Sequence, residues 1–223
     1  MTHVLNNTYP TTYAEVLTPL TAEGMDPRGV AALGSLGNKG IEVVMGLTVA
    51  DMKDVGRIAR QPGVRWFCPK DERKRVGDEK LGRTWMEDGR LVFQGKKDSH
   101  TVAYGWLRPE ECEELPDALE TFAVRVDEAL AGQGVGVDFS HAIIFGGMAR
   151  AGSKKVGHET WASNIGAFKT YSKGGAQPMV AKNGWRELPP EHADKADRIN
   201  EKGVPEQRDT RVWWQWPQSF PEN

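Results

Sequence analysis

Apolar and polar positions alternate along this chain with two different periods, which indicates strands and helices packed together. The β-branched, apolar run Ile41–Leu47 (IEVVMGL) predicts a strand. Thr48 then has the character of a helix N-cap, with Asp51 three residues later as a variant of the capping box. The following residues, to about Gln61, carry apolar side chains at spacings of three and four and end before a Pro-Gly pair, so they predict a helix.

Further elements follow in the middle of the chain. The strongly charged stretch Asp71–Asp88 has apolar residues interspersed and predicts a second helix with one solvated face. The runs Arg90–Gln94 and His100–Leu107 are separated by the polar letters GKKDS, a pattern typical of a β-hairpin. We expect Pro109–Asp117, which is rich in Pro and Glu, to be a connection.

The C-terminal half predicts alternating strands and helices, and its last segment is again strand-like. The predicted elements are a strand at Thr121–Val126, a helix at Val135–Ala151, a strand at Lys155–Thr160, a helix at Asn164–Lys173, and strands at Gln177–Lys182 and Thr210–Trp216, with a polar loop at 184–208. Adjacent strands mixed with strand–helix–strand units predict a mixed sheet and an α+β fold.

Composition excludes some classes of protein and leaves others. The chain has 223 residues and a formal net charge of -2, so nothing in its bulk charge favours nucleic acid or an anionic membrane. No run of 18 apolar residues is present, and the first residues are not typical of a secretory signal.

Cys68 and Cys112 have no ligand-like partners in spacing, so we predict no metal site. We interpret them as reduced thiols of a cytoplasmic protein, with one long-range disulfide as the alternative.

The first chemically informative segment is Phe122–Gly136 (FAVRVDEALAGQGVG), where a predicted strand enters a glycine-rich turn and a helix begins. Glycines let backbone amides approach an anion, and a helix N-terminus adds its unpaired N–H groups and a positive dipole end. The pattern therefore indicates a phosphate cradle, although glycine turns before helices are also common without ligands. A Walker loop fails because Val137-Asp138 follows the last glycine, and Val137 also occupies a glycine position of the dinucleotide motif.

The second informative segment, Glu159–Ala176 (ETWASNIGAFKTYSKGGA), carries a family resemblance. Enzymes of the GNAT N-acetyltransferase family have Asn-x-x-Ala-x-x-x-Tyr-x-x-x-Gly-Phe after their fifth strand. This sequence resembles that pattern at matching spacing, with Ala176 in place of the Phe; the matching residues are Asn164, Ala167, Tyr171 and Gly175.

The glycine turn is similar to a second motif of the same family. Gly134 and Gly136 fit Gln/Arg-x-x-Gly-x-Gly/Ala, but Ala131 stands where Gln or Arg is usual, so only the backbone part of the cradle is present. The resemblance covers about Gly40–Pro217. It implies an acyltransferase domain at 40–217 with a mostly antiparallel mixed sheet flanked by helices, after an extension of uncertain order at 1–39 and before a tail at 218–223.

The resemblance implies acetyl-CoA as the co-substrate and assigns the residues that hold it. In the family the fourth and fifth strands splay apart around the pantetheine arm, and the pyrophosphate lies on the glycine turn. The implied cofactor-binding residues are Ala123, Val124, Arg125 and Val126 on the fourth strand; Gly132, Gln133, Gly134, Val135 and Gly136 on the turn; and Asn164, Ala167 and Tyr171 after the fifth strand.

The resemblance also implies direct attack of a neutral amine on the thioester, without an acyl-enzyme. Tyr171 matches the family's helical tyrosine and is predicted to protonate the departing thiolate; packing in the core is the alternative. Three carboxylates are candidates for the base. Asp127 and Glu128 follow the predicted fourth strand, Glu159 lies on the predicted fifth strand, and we favour Glu159. His158 is a poorer candidate because alternation places it on the opposite face of the strand.

The acceptor of the acetyl group stays open. The family builds its acceptor groove from the first two helices and the connection of the last two strands, which here are 65–67, 71–75 and 184–208. The acceptor is either a small amine or a protein amine, and modification of a nucleic acid is a minor alternative. A binding module with the same fold and no turnover is the non-enzyme alternative. We expect acetyl-CoA and an amine as partners, no membrane, and allow for a homodimer.

Overall fold

The computed structural model describes residues 17–65, 90–112, 115–152 and 155–216, and within these ranges a nine-stranded sheet has helices on both faces. The strands are β1 (Thr18–Pro19), β2 (Glu42–Met45), β3 (Leu91–Lys97), β4 (His100–Cys112), β5 (Leu115–Val126), β6 (Val156–Trp161), β7 (Gln177–Glu187), β8 (Arg198–Ile199) and β9 (Pro205–Trp216). The helices are α1 (Pro27–Asn38), α2 (Met52–Ala59), α3 (Pro62–Arg65), α4 (Val135–Ala151) and α5 (Ile165–Lys173), with 3-10 turns at Glu128–Leu130 and Pro190–Lys195.

The sheet is mixed, and its one parallel pairing among the described strands is central. The strand order is β1-β2-β3-β4-β5-β6-β9-β7, with β8 added beside β9. β5 and β6 run parallel, whereas the other pairings are antiparallel. The predicted α+β fold with a mostly antiparallel sheet flanked by helices is therefore confirmed. None of the helices in the described ranges is long and apolar enough to cross a membrane.

Two apolar clusters cover the two faces of the sheet. The larger cluster joins α1, α4 and α5 to one face and includes Trp214 and Trp216, which point alike as the alternation predicts. The smaller cluster packs α2 against the other face and includes Tyr104 and Trp106 of β4. Strand alternation thus sets which side chains of the central strands can meet α5 and which can meet α2.

Helix α4 is buried along most of its length, because it lies between α1 and the sheet. Close approach depends on glycine here: a Cβ at Gly147 would lie 2.0 Å from Leu107 Cδ1, and one at Gly29 would lie 2.7 Å from Phe145 Cβ. The tight packing fixes where α4 begins, and therefore the position of the glycine turn that precedes it.

Residues 17–39 contain regular elements that the sequence analysis missed. β1 pairs with β2, and α1 packs against α4 with Ala32 and Leu36 in the larger cluster. Glycines disfavour helix by about 1 kcal/mol each, and Gly29, Gly34 and Gly37 hid the apolar period. The start was nevertheless marked, since Asp26 caps the helix and Pro27 occupies its first position.

Strands continue further than predicted into two of the expected connections. β4 runs to Cys112 and β5 begins at Leu115, so most of the predicted connection 109–117 is a bulged hairpin. The predicted polar loop 184–208 is strand at both ends, because the β7–β9 ladder extends to Glu187 opposite Glu206, while 188–204 connects the two strands and contains β8. This hairpin projects beyond the core, so polar contacts rather than apolar ones line it, including the Arg198 guanidinium 3.8 Å from the Trp185 ring centroid.

The other predicted elements fall within a few residues of their observed limits, and α4 occupies the predicted range. The helix expected from Thr48 begins one turn later, at Met52. Thr48 donates to the Asp51 carboxylate from its backbone N–H (2.8 Å) and its hydroxyl (2.7 Å), so the predicted pair forms in the turn before the helix. The predicted helix Asp71–Asp88 lies outside the described residues.

Candidate active site

The parallel strands β5 and β6 part after a short pairing and leave a gap between them. Their register joins only Leu119 to Val156, Glu120 to Gly157 and Thr121 to His158. Beyond Thr121, β5 continues to Val126 and pairs only with β4 within the described strands, while β6 continues to Trp161 and pairs only with β9. The segment predicted to bind pantetheine, 123–126, therefore borders this gap with backbone groups that β6 does not occupy.

The glycine turn lies at the open end of β5. Asp127 caps the 3-10 turn by accepting from the Ala129 N–H at 3.0 Å, and the chain then turns through exposed residues 131–134. Gly132 and Gly134 both have φ of +76°, a left-handed conformation that favours glycine. Gly134 is the N-cap of α4 and has no side chain to cap the first amides of the helix.

Space is open above this turn. A Cβ at Gly132 would meet no atom within 4 Å, and one at Gly134 would meet only the Lys39 ammonium, at 3.8 Å. An exposed glycine turn at a helix N-terminus suits an anion. The residues predicted to hold the pyrophosphate lie on this turn.

Lys39 is a cation of this turn that sequence reasoning missed. It follows α1, and its Nζ lies 2.5 Å from Asp138 Oδ2 and 3.0 Å from Ser35 Oγ. Its ammonium lies beside the glycine turn. The family motif has Gln or Arg in this turn, at the position that Ala131 occupies here. Since Lys39 and Asp138 are 99 residues apart in sequence, no local signal could have found the contact.

Tyr171 lies on the face of β6 that carries His158. Asn164 caps α5 by accepting from the Ala167 N–H at 3.2 Å, which sets the register of the helix. Tyr171 is 4% exposed, and its hydroxyl is 2.6 Å from His158 Nε2. The rings of His158 and Trp216 lie 4.3 and 5.1 Å from its ring centroid, so the phenol is held in place.

The environment of Tyr171 keeps its hydroxyl protonated. Burial raises the pKa of Tyr171 well above its ordinary value, and the positive charge of Arg125 lowers this pKa by a smaller amount. At neutral pH the residue is therefore a phenol, which can donate a proton or a hydrogen bond.

Two of the three carboxylates considered as the base, Asp127 and Glu128, contact residues of α2, α3 and the link between them. Burial would raise the pKa of Asp127, but hydrogen bonds from Gln61 and Arg57 outweigh it and hold the pKa below its ordinary value. Glu128 is exposed and accepts from the Gly63 N–H. These contacts tie α2 and α3 to the turn after β5.

Glu159 and Tyr171 lie on opposite faces of β6. Glu159 is opposite Trp213 on β9, and its carboxylate is 3.4 Å from Arg211 Nη1. Strand alternation was correctly expected to separate His158 from Glu159, but α5 packs on the His158 face. The structure thus joins the predicted acid to His158, the histidine that the sequence analysis ranked below Glu159. The predicted acceptor segments 66–67 and 71–75 lie outside the described residues.

No protein-family model matches this chain, and no curated protein matches it. Solved structures do match, at low sequence identity. A protein of Desulfovibrio desulfuricans assigned to the GNAT acetyltransferase family is 12% identical with a TM-score of 0.55, covering 80% of this chain and 99% of that chain.

Two further matches have named activities or ligands. The yncA protein of Salmonella typhimurium, assigned as an acetyltransferase and solved with its cofactor acetyl-CoA, is 12% identical with a TM-score of 0.55, covering 82% of this chain and 96% of that one. The ribosomal-protein-S18-alanine N-acetyltransferase of Escherichia coli is 16% identical with a TM-score of 0.51, covering 81% and 97%. This chain therefore has the fold of the GNAT acetyltransferases.

Proposed function

We propose that this protein is an N-acetyltransferase that moves an acetyl group from acetyl-CoA to a primary amine. The observation that carries the proposal is the gap between β5 and β6, which has an open glycine turn at the end of one strand and a buried phenol beside the other. A cofactor with a diphosphate at one end and a thioester at the other fits such a site.

In this proposal each part of the site holds one part of the cofactor. The amides around Gly134 and Gly136 bind the pyrophosphate, and Gln133 and Val135 contribute their backbone to the same turn. The free edge of β5 at 123–126 binds the pantetheine arm and polarises the thioester carbonyl through backbone N–H groups. Asn164 and Ala167 place the start of α5 near the thioester, and the cap that they form supports this role as well as a purely structural one.

The reaction forms a C–N bond and breaks the C–S bond of the thioester. A neutral amine loses one proton as it becomes an amide, and the thiolate gains one to leave as a thiol. Tyr171 donates the proton to sulfur and regains one from solvent. Glu159, on the face of β6 opposite Tyr171, takes the proton of the amine directly or through water, and Arg211 lies beside its carboxylate.

The proposal is tested by calorimetry with acetyl-CoA, followed by thiol release against a panel of amines. Binding with release of free CoA thiol in the presence of an amine is the expected result. The panel contains small amines, such as polyamines, amino sugars and amino acids, and peptides with a free N-terminus or lysine, so that it separates the two acceptor classes. Binding without turnover on any amine would favour the non-enzymatic module, and absence of binding would refute both.

Substitution of Lys39 by Met should weaken acetyl-CoA binding about fivefold, since a partly exposed ion pair with the phosphate contributes up to roughly 1 kcal/mol. The loss should shrink at high salt, because the contact is partly exposed. Calorimetry at two salt concentrations measures both effects.

The double variant Lys39→Met/Asp138→Asn separates the two contributions of Lys39. If the ammonium only neutralises Asp138 beside the phosphate, removing both charges restores full affinity. If Lys39 contacts the phosphate itself, the double variant binds acetyl-CoA more weakly than the single variant Asp138→Asn does. Unchanged affinity in Lys39→Met would exclude both roles.

A further inference from the structure

His158 makes a contact with Tyr171 that the proposed reaction leaves without a role. It is 8% exposed, and it is the last residue of β6 that pairs with β5, opposite Thr121. Its ring therefore lies where the strands part, and its Nε2 is 2.6 Å from the phenol oxygen. A polar contact this short between buried groups is a strong constraint on both side chains.

The direction of this hydrogen bond decides whether Tyr171 can act as an acid. A phenol has one proton to donate, and a neutral imidazole carries its proton on only one of its two nitrogens. If Tyr171 donates to Nε2, its proton is engaged by the histidine. If Nε2–H donates to the phenol oxygen, the phenolic proton is available to another acceptor, such as a sulfur in the gap.

We infer that His158 is a positioning residue for Tyr171, with Nε2–H donating to the phenol oxygen and directing the phenolic proton toward the gap between β5 and β6. The inference rests on the proposed function, because it concerns how His158 holds the proposed acid of the same site. Apolar contacts leave the ring little freedom: Trp216 packs edge-on to Tyr171 at 5.1 Å, and the ring of Trp214 lies tilted to it at 6.1 Å. The hydroxyl rotor is then the remaining degree of freedom, and His158 sets it.

The tautomer is tested directly by nitrogen NMR of protein labelled with ¹⁵N-histidine. The chain has five histidines, so the His158 signals are assigned by their disappearance in His158→Gln. The expected result is a proton on Nε2 of His158 in the protein saturated with CoA, whose sulfur can accept the phenolic proton. A proton on Nδ1 alone, with a lone pair on Nε2, would overturn the inference. This measurement does not require turnover, so it separates failure of the inference from failure of the proposed function.

Kinetics test the same inference through Tyr171. His158→Asn removes the contact because its amide is too short to replace Nε2, whereas the amide nitrogen of His158→Gln can still donate. We expect kcat to fall about fivefold in His158→Asn, with KM for acetyl-CoA unchanged, and to recover in His158→Gln. In a Tyr171→Phe background, His158→Asn should have no further effect, because the phenol through which it acts is gone.

The matched control is His141→Asn, which removes another partly buried histidine that packs against the end of α5, at Gly174. It should leave kcat unchanged. Two outcomes would mean that His158 serves only the fold. One is an equal fall in kcat from His158→Asn with and without Tyr171, and the other is an equal fall in kcat in His158→Asn and His141→Asn. Melting temperatures of all variants keep unfolding separate from loss of rate.

Discussion

Replacement of Tyr171 by Phe is expected to lower the turnover number at least about tenfold, since a general acid commonly contributes roughly a hundredfold or more, and to leave acetyl-CoA affinity nearly unchanged. The change removes one oxygen and keeps the ring that packs against Trp216. Cofactor contacts proposed for the glycine turn and for β5 do not involve this oxygen, so binding should persist. Turnover is measured by thiol release and affinity by calorimetry.

The variant also leaves His158 Nε2 without the phenol, so stability must be measured beside activity. A buried polar group that loses its partner costs about 1–3 kcal/mol, and assays should therefore be run well below the melting temperature. Tyr104→Phe is the matched control, because Tyr104 is equally buried but stacks on Trp106 in the smaller cluster. Equal turnover in wild type and Tyr171→Phe would remove Tyr171 as the acid.

Elements of the site whose signals are local could be predicted from the sequence. α4 has its predicted limits because left-handed glycines at 134 and 152 stop it at both ends. α5 was predicted within one residue because Asn164 caps it through its own side chain. Hydrophobic period and capping act over a few residues, so both are visible in one sequence.

Contacts that depend on how elements pack could not be predicted in this way. Lys39 reaches the glycine turn only because α1 lies against α4, and α1 itself was obscured by its glycines. Alternation correctly separated His158 from Glu159, but it could not say on which face of the sheet α5 lies. That choice depends on the whole larger cluster, and it decides that His158 contacts the phenol.

The β7–β9 hairpin shows a different limit. Residues 184–208 lack an apolar period, which indicated a loop, yet backbone pairing continues from Gln177 to Glu187. Arg186 is 4% exposed and donates to Asp209 at 3.1 Å, so a charged pair occupies a position where a pattern-based prediction expects an apolar residue. Polar strands of this kind are specified by partners across the ladder rather than by a periodic face.

Replacement of Gly134 by Asp should weaken acetyl-CoA binding by roughly a hundredfold or more, about 2.7 kcal/mol. Gly134 is the N-cap of α4, so an Asp at this position puts a carboxylate beside the first amides of the helix and close to Lys39. Those are the amides proposed to bind the pyrophosphate, so the new side chain competes for the same donors and adds a repelling charge. Calorimetry with acetyl-CoA measures the loss.

Two further variants separate competition for the amides and charge repulsion from the backbone strain of a non-glycine residue at a left-handed position. Gly203→Asp is the matched control, since Gly203 also has a left-handed φ, +72°, and a Cβ there would meet nothing within 4 Å. It carries the same backbone cost of about 1–2 kcal/mol far from the turn and should leave affinity unchanged. Gly134→Asn places a side chain of the same size there without a charge and should give an intermediate loss of affinity. Wild-type affinity in Gly134→Asp would place the cofactor elsewhere, because a carboxylate at that position cannot share the first amides of α4 with a diphosphate.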